Sequence, residues 1–148
     1  MIIKKVHVAV DGSISSLNAS NYATDLAKKF DAELTILYVI SSDFRYSVED
    51  LSPVPRALKE VLAVATERGQ EKIDQVKRKA VEKNVKVKTD ITISVTSVVR
   101  EIADYAKKNN IDVIVVGSRG MSEFKKMLLG SVASGVVTFA HCPVIVVK

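Results

Sequence analysis

The chain has no tryptophan and a single cysteine, Cys142, in 148 residues. One cysteine excludes an internal disulfide framework and fits a reducing compartment. No apolar run approaches the ~20 residues a bilayer-spanning helix needs. The opening Met1-Ile2-Ile3-Lys4-Lys5 shows no secretory pattern and leads into a strand-like run. The expectation is a cytoplasmic protein without membrane partners. Aromatic residues make up 5% of the chain, too few for a platform that stacks bases. Two familiar phosphate motifs are missing: no G-x-x-x-x-G-K-S/T excludes a P-loop, and no G-x-G-x-x-G excludes the dinucleotide fingerprint. The sequence also offers no metal cluster and no Ser-His-Asp set.

What is present is an ordinary globular composition, 47% hydrophobic and 26% charged, of a length that suits one domain spanning residues 1–148. The net charge of +5 raises the question of nucleic acid. The basic residues, however, alternate with acids: Lys59-Glu60, Glu67-Arg68, Glu71-Lys72. They read as a solvated surface, and nucleic acid is not expected as a partner.

Apolar periodicity divides the chain into alternating strands and helices. Strands are expected at Val6–Val10, Glu33–Ile40, Val85–Val95, Ile111–Val116 and Val144–Val147. The first helix carries a stripe of Leu17, Ala19, Ala23, Leu26, Ala27 and Phe30, after a cap from Ser13, Ser15 or Ser16. A long amphipathic helix follows Leu58, Leu62, Ala65, Gly69, Ile73, Val76 and Ala80; shorter ones cover Ser97–Lys108 and Gly130–Ala140. Residues Ser41–Pro55 read as a long loop. Val85, Val87, Thr89, Ile91, Ile93 and Val95 are expected to share one strand face. His7, inside the first strand, reads as a satisfied core histidine rather than a base, and His141-Cys142 are adjacent without forming a catalytic pair. Alternating strands and helices imply an α/β fold: a doubly wound, Rossmann-like domain with a five-stranded parallel sheet and helices on both faces.

The segment with most chemical content follows the apolar run Val113-Ile114-Val115-Val116. It reads Gly117-Ser118-Arg119-Gly120, then nine residues, then Gly130-Ser131. Glycine permits φ > 0 and close approach of a ligand, and the next helix offers free N–H groups and the positive end of its dipole. This points to phosphate. Asp11 ends the first strand, where a doubly wound sheet binds ligands.

The pattern G-x-x-G, nine residues, G-S/T resembles the nucleotide-binding signature of the universal stress protein family. The opening VHVAVDGS, the second strand's Tyr38-Val39-Ile40 and the closing His141-Cys142-Pro143-Val144-Ile145-Val146-Val147 extend the likeness along the chain. The resemblance implies strand order 3-2-1-4-5, ATP bound with Mg, and a homodimer through the terminal strand. It also implies roles: Asp11 for the ribose hydroxyls, the Val39 backbone for adenine, Val10 and Val116 as pocket lining. Gly117, Gly120, Gly130 and Ser131 fill the signature and would serve the phosphates, with a further N–H from Val132. From the residues themselves, Ser118 is a weaker phosphate donor and Arg119 can pair a phosphate bidentately. For Asp11 a turn role remains open, for Ser131 a helix cap, for Arg119 a solvated loop charge, and for Val10 and Val116 plain core packing. Where the family often has Gly and Pro, this chain has Ser94-Val95-Thr96-Ser97, which alters the pocket's edge.

The expected function is a nucleotide-dependent regulatory or stress-response module, at most a weak ATPase, since no positioned general base is identifiable. Two alternatives stand beside it. One is an interaction protein of the same fold without nucleotide. The other is a nucleotide-using enzyme of the related superfamily, against which the missing HxGH-like and KMSKS-like motifs count.

Overall fold

The structure is a computed structural model and describes residues 2–41, 56–119 and 129–148. Along the chain these form β1 (Lys5–Val10), α1 (Ile14–Phe30), β2 (Glu33–Ser41), α2 (Arg56–Glu82), β3 (Val87–Ser94), α3 (Val98–Lys108), β4 (Val113–Gly117), α4 (Ser131–Phe139) and β5 (Val144–Val147). The strands make one parallel sheet in the order β3-β2-β1-β4-β5, the expected topology. The long loop expected over Ser41–Pro55 lies outside the described residues, apart from Ser41, which closes β2.

Strand pleating sorts the apolar residues to two faces. Val6, Val8, Val10, Leu34, Ile36, Val113 and Val115 pack with Ala19, Ala23 and Ala27 of α1 and Ile73, Val76 and Ala80 of α2. Leu37, Ile114 and Val116 pack on the opposite face with Ile102, Tyr105 and Ala106 of α3 and Ala133 and Val136 of α4. β4 therefore reads as an unbroken apolar run because both its faces are covered. Burying one such Val or Ile side chain stabilises the fold by about 1.5–3 kcal/mol.

Local chemistry sets the element ends. Ser13 is the N-cap of α1, its Oγ accepting from the Ser16 N–H at 3.1 Å, and Ser97 does the same for α3 through Arg100 N–H at 3.1 Å. The Ser94–Ser97 segment thus still starts its helix. α1 ends at Asp31, which takes the left-handed conformation (φ 51°).

Two expectations are corrected. β3 ends at Ser94, which pairs with Ser41; Val95 lies past the strand end, is 88% exposed and does not join the buried face. Ile93 is likewise exposed. Phe30, expected on the buried stripe of α1, sits on its last turn and is also exposed.

Candidate functional site

The order β3-β2-β1-β4-β5 reverses direction between β1 and β4, so the crevice beyond their carboxyl ends is the ligand position for this architecture. Val10 and Val116, the expected pocket lining, are 5% and 3% exposed and belong to the core on opposite faces of the sheet. Val39, in β2, is half-buried on the α3/α4 face. Asp11 follows β1 directly and is exposed. Its Oδ1 accepts from the Ser13 N–H at 2.8 Å, an Asx-type turn, so the turn role left open for it is observed. Gly12, between them, has φ 85°, a conformation that favours glycine.

The two halves of the glycine pattern meet. The Gly130 N–H donates to the Ser118 carbonyl at 2.6 Å, and the Ser118 N–H donates to the Val147 carbonyl at 2.8 Å. Ser118 is buried and Arg119 exposed; the Arg119 N–H donates to Ser15 Oγ at 3.2 Å. Ser131 and Val132 form the exposed first turn of α4. Gly120 lies outside the described residues.

Three details change the roles assigned from sequence. The N-cap of α4 is Gly130, not Ser131, and it makes no side-chain cap bond. Because the Gly130 N–H is already bonded to Ser118, the donors open to an anion are those of Ser131 and the residues after it. Gly117 does not adopt positive φ. Its missing side chain makes room for α1 instead: a Cβ there would lie 2.5 Å from Ser15 Oγ and 2.7 Å from the Ser15 carbonyl carbon.

The crevice gathers helix dipoles and charged groups. α1 and α4 both start at it, and neither has an acidic residue in its first turn; the Asp11 carboxylate, accepting from the Ser13 N–H, opposes the α1 dipole, while the α4 end is not neutralised by its own first turn. Lys72 of α2 also reaches it, lying across Gly12, where a Cβ would sit 2.8 Å from Cε. Ser15 and Lys72 were missed as site residues: Ser15 looked like a cap and Lys72 like solvated charge. Gly69, in the middle of α2, was the available signal for a close helix approach.

Elsewhere among the described residues three titratable groups are perturbed. His7 is fully buried, and neither ring nitrogen has a partner in hydrogen-bond geometry. Desolvation holds its pKa down at about 4, opposed weakly by the nearby Thr35 backbone. It is therefore a core histidine, but not a satisfied one; its ring stacks on Tyr105 at 5.4 Å between centroids. Tyr105 donates to Asp90 Oδ2 at 3.0 Å, and burial, then Asp90, push its pKa up. Burial also raises the Cys142 thiol. Among the described residues no group of three or more His, Cys, Asp or Glu is arranged to hold a metal, and no helix is long and apolar enough to cross a membrane.

The sequence model of the universal stress protein family matches residues 3–148. The chain belongs to the universal stress protein family. It is 38% identical to a universal stress protein of Methanocaldococcus jannaschii over 99% of this chain and 83% of that one. The universal stress protein UspA of Lactobacillus plantarum superposes with a TM-score of 0.86 at 30% identity, over 100% of this chain and 99% of the other. A universal stress protein solved in complex with cAMP gives a TM-score of 0.66 at 25% identity, over 100% and 99%.

Proposed function

We propose that this universal stress protein is a single-domain, nucleotide-dependent regulatory module of the cytoplasm that binds ATP with Mg in the crevice between β1 and β4. The observation that carries the reading is the Gly130–Ser118 bond: it joins the two glycine segments and leaves the N–H groups of Ser131 and Val132 for a phosphate at an unneutralised helix start. The ribose would meet Asp11, whose Oδ2 has no partner among the described residues. Arg119, exposed beside Ser118, would add a charged donor. The cAMP complex of a relative of the same fold supports an adenine nucleotide as the ligand class. Bound Mg would neutralise phosphate charge, with its ligands drawn largely from phosphate oxygens and water. In this reading the protein is at most a weak ATPase, because among the described residues no group in the crevice is poised as a general base.

Calorimetric titration with Mg-ATP, AMP and ADP tests this directly, together with mass spectrometry of ligand released from the purified protein. Saturable binding with a raised Tm is expected. At ligand concentrations of about 100 times Kd the stabilisation is roughly 2.7 kcal/mol, worth about 2–4 °C of Tm per kcal/mol. No heat of binding and no Tm shift would reduce the chain to an interaction protein of this fold.

The same reading makes the protein a homodimer. Among the described residues β5 pairs with β4 alone and forms a sheet edge of four half-buried apolar residues, which invites pairing with a two-fold mate. Light scattering should give twice the chain mass, and Val146→Lys should shift it toward monomer. A monomeric wild type at high micromolar concentration removes the dimer and leaves the nucleotide reading intact.

A further inference from the structure

We propose that Lys72 is a specificity residue of the crevice that reads a phosphate carried on the ribose of the ligand. The proposal rests on the nucleotide reading above and narrows it to a class: adenine nucleotides with a second phosphate at the 2′ or 3′ position.

The placement starts from Gly69. Glycine is a poor former of helix interiors, so its place within the 27 residues of α2 needs a local cause. That cause is Tyr38: a Cβ on Gly69 would lie 2.5 Å from Cδ1 of the ring. Tyr38 pairs with Val10, the last residue of β1, so α2 lies directly on the carboxyl end of the sheet. Lys72 is three residues on and neighbours Gly69 on the helix surface. Its side chain crosses Gly12, and a Cβ there would sit 2.8 Å from Cε and 3.4 Å from Nζ. The ammonium is thus held at the turn that follows Asp11. No carboxylate pairs with it among the described residues, although it is half-buried.

The turn has two flanks. On the β4 side Ser15 packs on Gly117 and accepts from the Arg119 N–H, beside the α4 start that would take the 5′-phosphates. On the β2 side stands Lys72, and Asp11 lies between. A ribose held by Asp11 with its 5′ arm toward β4 turns its 2′,3′ edge toward Lys72. A phosphate on that edge meets the Asp11 carboxylate, a like charge. The ammonium opposes this repulsion: in dinucleotide folds an acid reads a free 2′-hydroxyl or a basic residue takes a 2′-phosphate, and here a group of each kind stands at the same turn. Lysine suits the task because it acts as a point charge and needs no fixed fork.

The test is calorimetric titration of the full chain with AMP, adenosine 3′,5′-bisphosphate and adenosine 2′,5′-bisphosphate. Wild type should bind one bisphosphate about fivefold to tenfold more tightly than AMP, the scale of a partly screened ion pair; the two isomers show which hydroxyl carries the phosphate. Lys72→Met keeps a long side chain over Gly12 and removes the charge. It should erase the preference, the affinity for the favoured bisphosphate falling about fivefold to tenfold further than that for AMP, and Lys72→Arg should retain the preference. A wild type that binds AMP but prefers neither bisphosphate overturns the proposal. So does a preference surviving in Lys72→Met, or an equal loss of all three ligands, which marks a structural lysine. A wild type that binds neither AMP nor ATP defeats the nucleotide reading itself, and this inference with it.

Discussion

The backbone N–H of Gly130 donates to the carbonyl oxygen of Ser118 at 2.6 Å. Through this bond the end of β4 and the start of α4 close on each other, though the residues between them fill nine positions after Gly120. A phosphate bound here would take N–H donors from Ser131 onward, since the Ser118 and Arg119 N–H groups are bonded to Val147 and Ser15.

Gly130 has φ −65° and ψ 159°, a conformation open to any L-residue. Gly130→Val therefore adds a side chain at the α4 start without backbone strain. Valine is a poorer N-cap than glycine, so we expect loss of ATP binding with a Tm lowered by about 2–4 °C, read by calorimetry and thermal unfolding side by side. Wild-type affinity in this variant would place the phosphates elsewhere.

Asp11 bonds its own turn and is also the candidate ribose contact, and the two roles separate on substitution. Asp11→Asn keeps an oxygen for the Ser13 N–H but loses the charge. Its stability should stay within about 0.5 kcal/mol of wild type, while ATP affinity falls by about 1.5–3 kcal/mol, the range for a hydrogen bond to a charged group. Discrimination between ATP and 2′-deoxy-ATP should shrink in the same titrations. Unchanged affinity and discrimination would leave Asp11 as a turn residue alone.

Gly117→Ala sets a Cβ 2.5 Å from Ser15 Oγ and 2.7 Å from the Ser15 carbonyl carbon. Because part of that contact is backbone, α1 must shift rather than a side chain rotate. The expected cost is about 1–3 kcal/mol, seen as a fall of about 2–4 °C in Tm per kcal/mol. Adding Ser15→Gly should recover only part of it, since the Ser15 backbone remains. A fully stable single variant would show that α1 is free to move away from β4.

His7 makes stability depend on pH in a defined window. Its pKa is about 4 in the folded state against 6.5 unfolded, so the unfolded chain binds the proton first. Stability is fully present above about pH 6.5, falls as pH drops toward 4, and loses no more to this group below that. The whole window is worth about 3 kcal/mol, at 1.36 kcal/mol per pKa unit. Urea unfolding at pH 7 and pH 4.5 measures it, with His7→Leu as the comparison: the variant should lack most of the acid-induced loss. Equal losses in both proteins would show that carboxylates dominate instead.

Much of the fold was legible in the residues themselves. The order of elements, the buried run of β4 and a serine cap for α1 among Ser13, Ser15 and Ser16 follow from apolar period and local hydrogen bonding, which operate within one or two turns of chain. The glycine pattern, too, could be read as an anion site because a strand, a glycine turn and a helix start lie consecutively in sequence. What lay beyond reach was the reason each residue is there. Gly117 accommodates Ser15, Gly69 accommodates Tyr38, and Lys72 crosses Gly12; the Arg119–Ser15 bond spans 104 positions. None of these pairs leaves a periodic trace, because each depends on how closely two finished elements dock. The same holds for His7. Its place on β1 was readable, but that its nitrogens lack partners was decided by the apolar sheet face and the Tyr105 ring that α3 lays against it. Local sequence determined which elements form and what chemistry they carry; the tertiary packing decided which backbone groups stay free and which charges meet, since donors and cations are assigned only once distant surfaces touch.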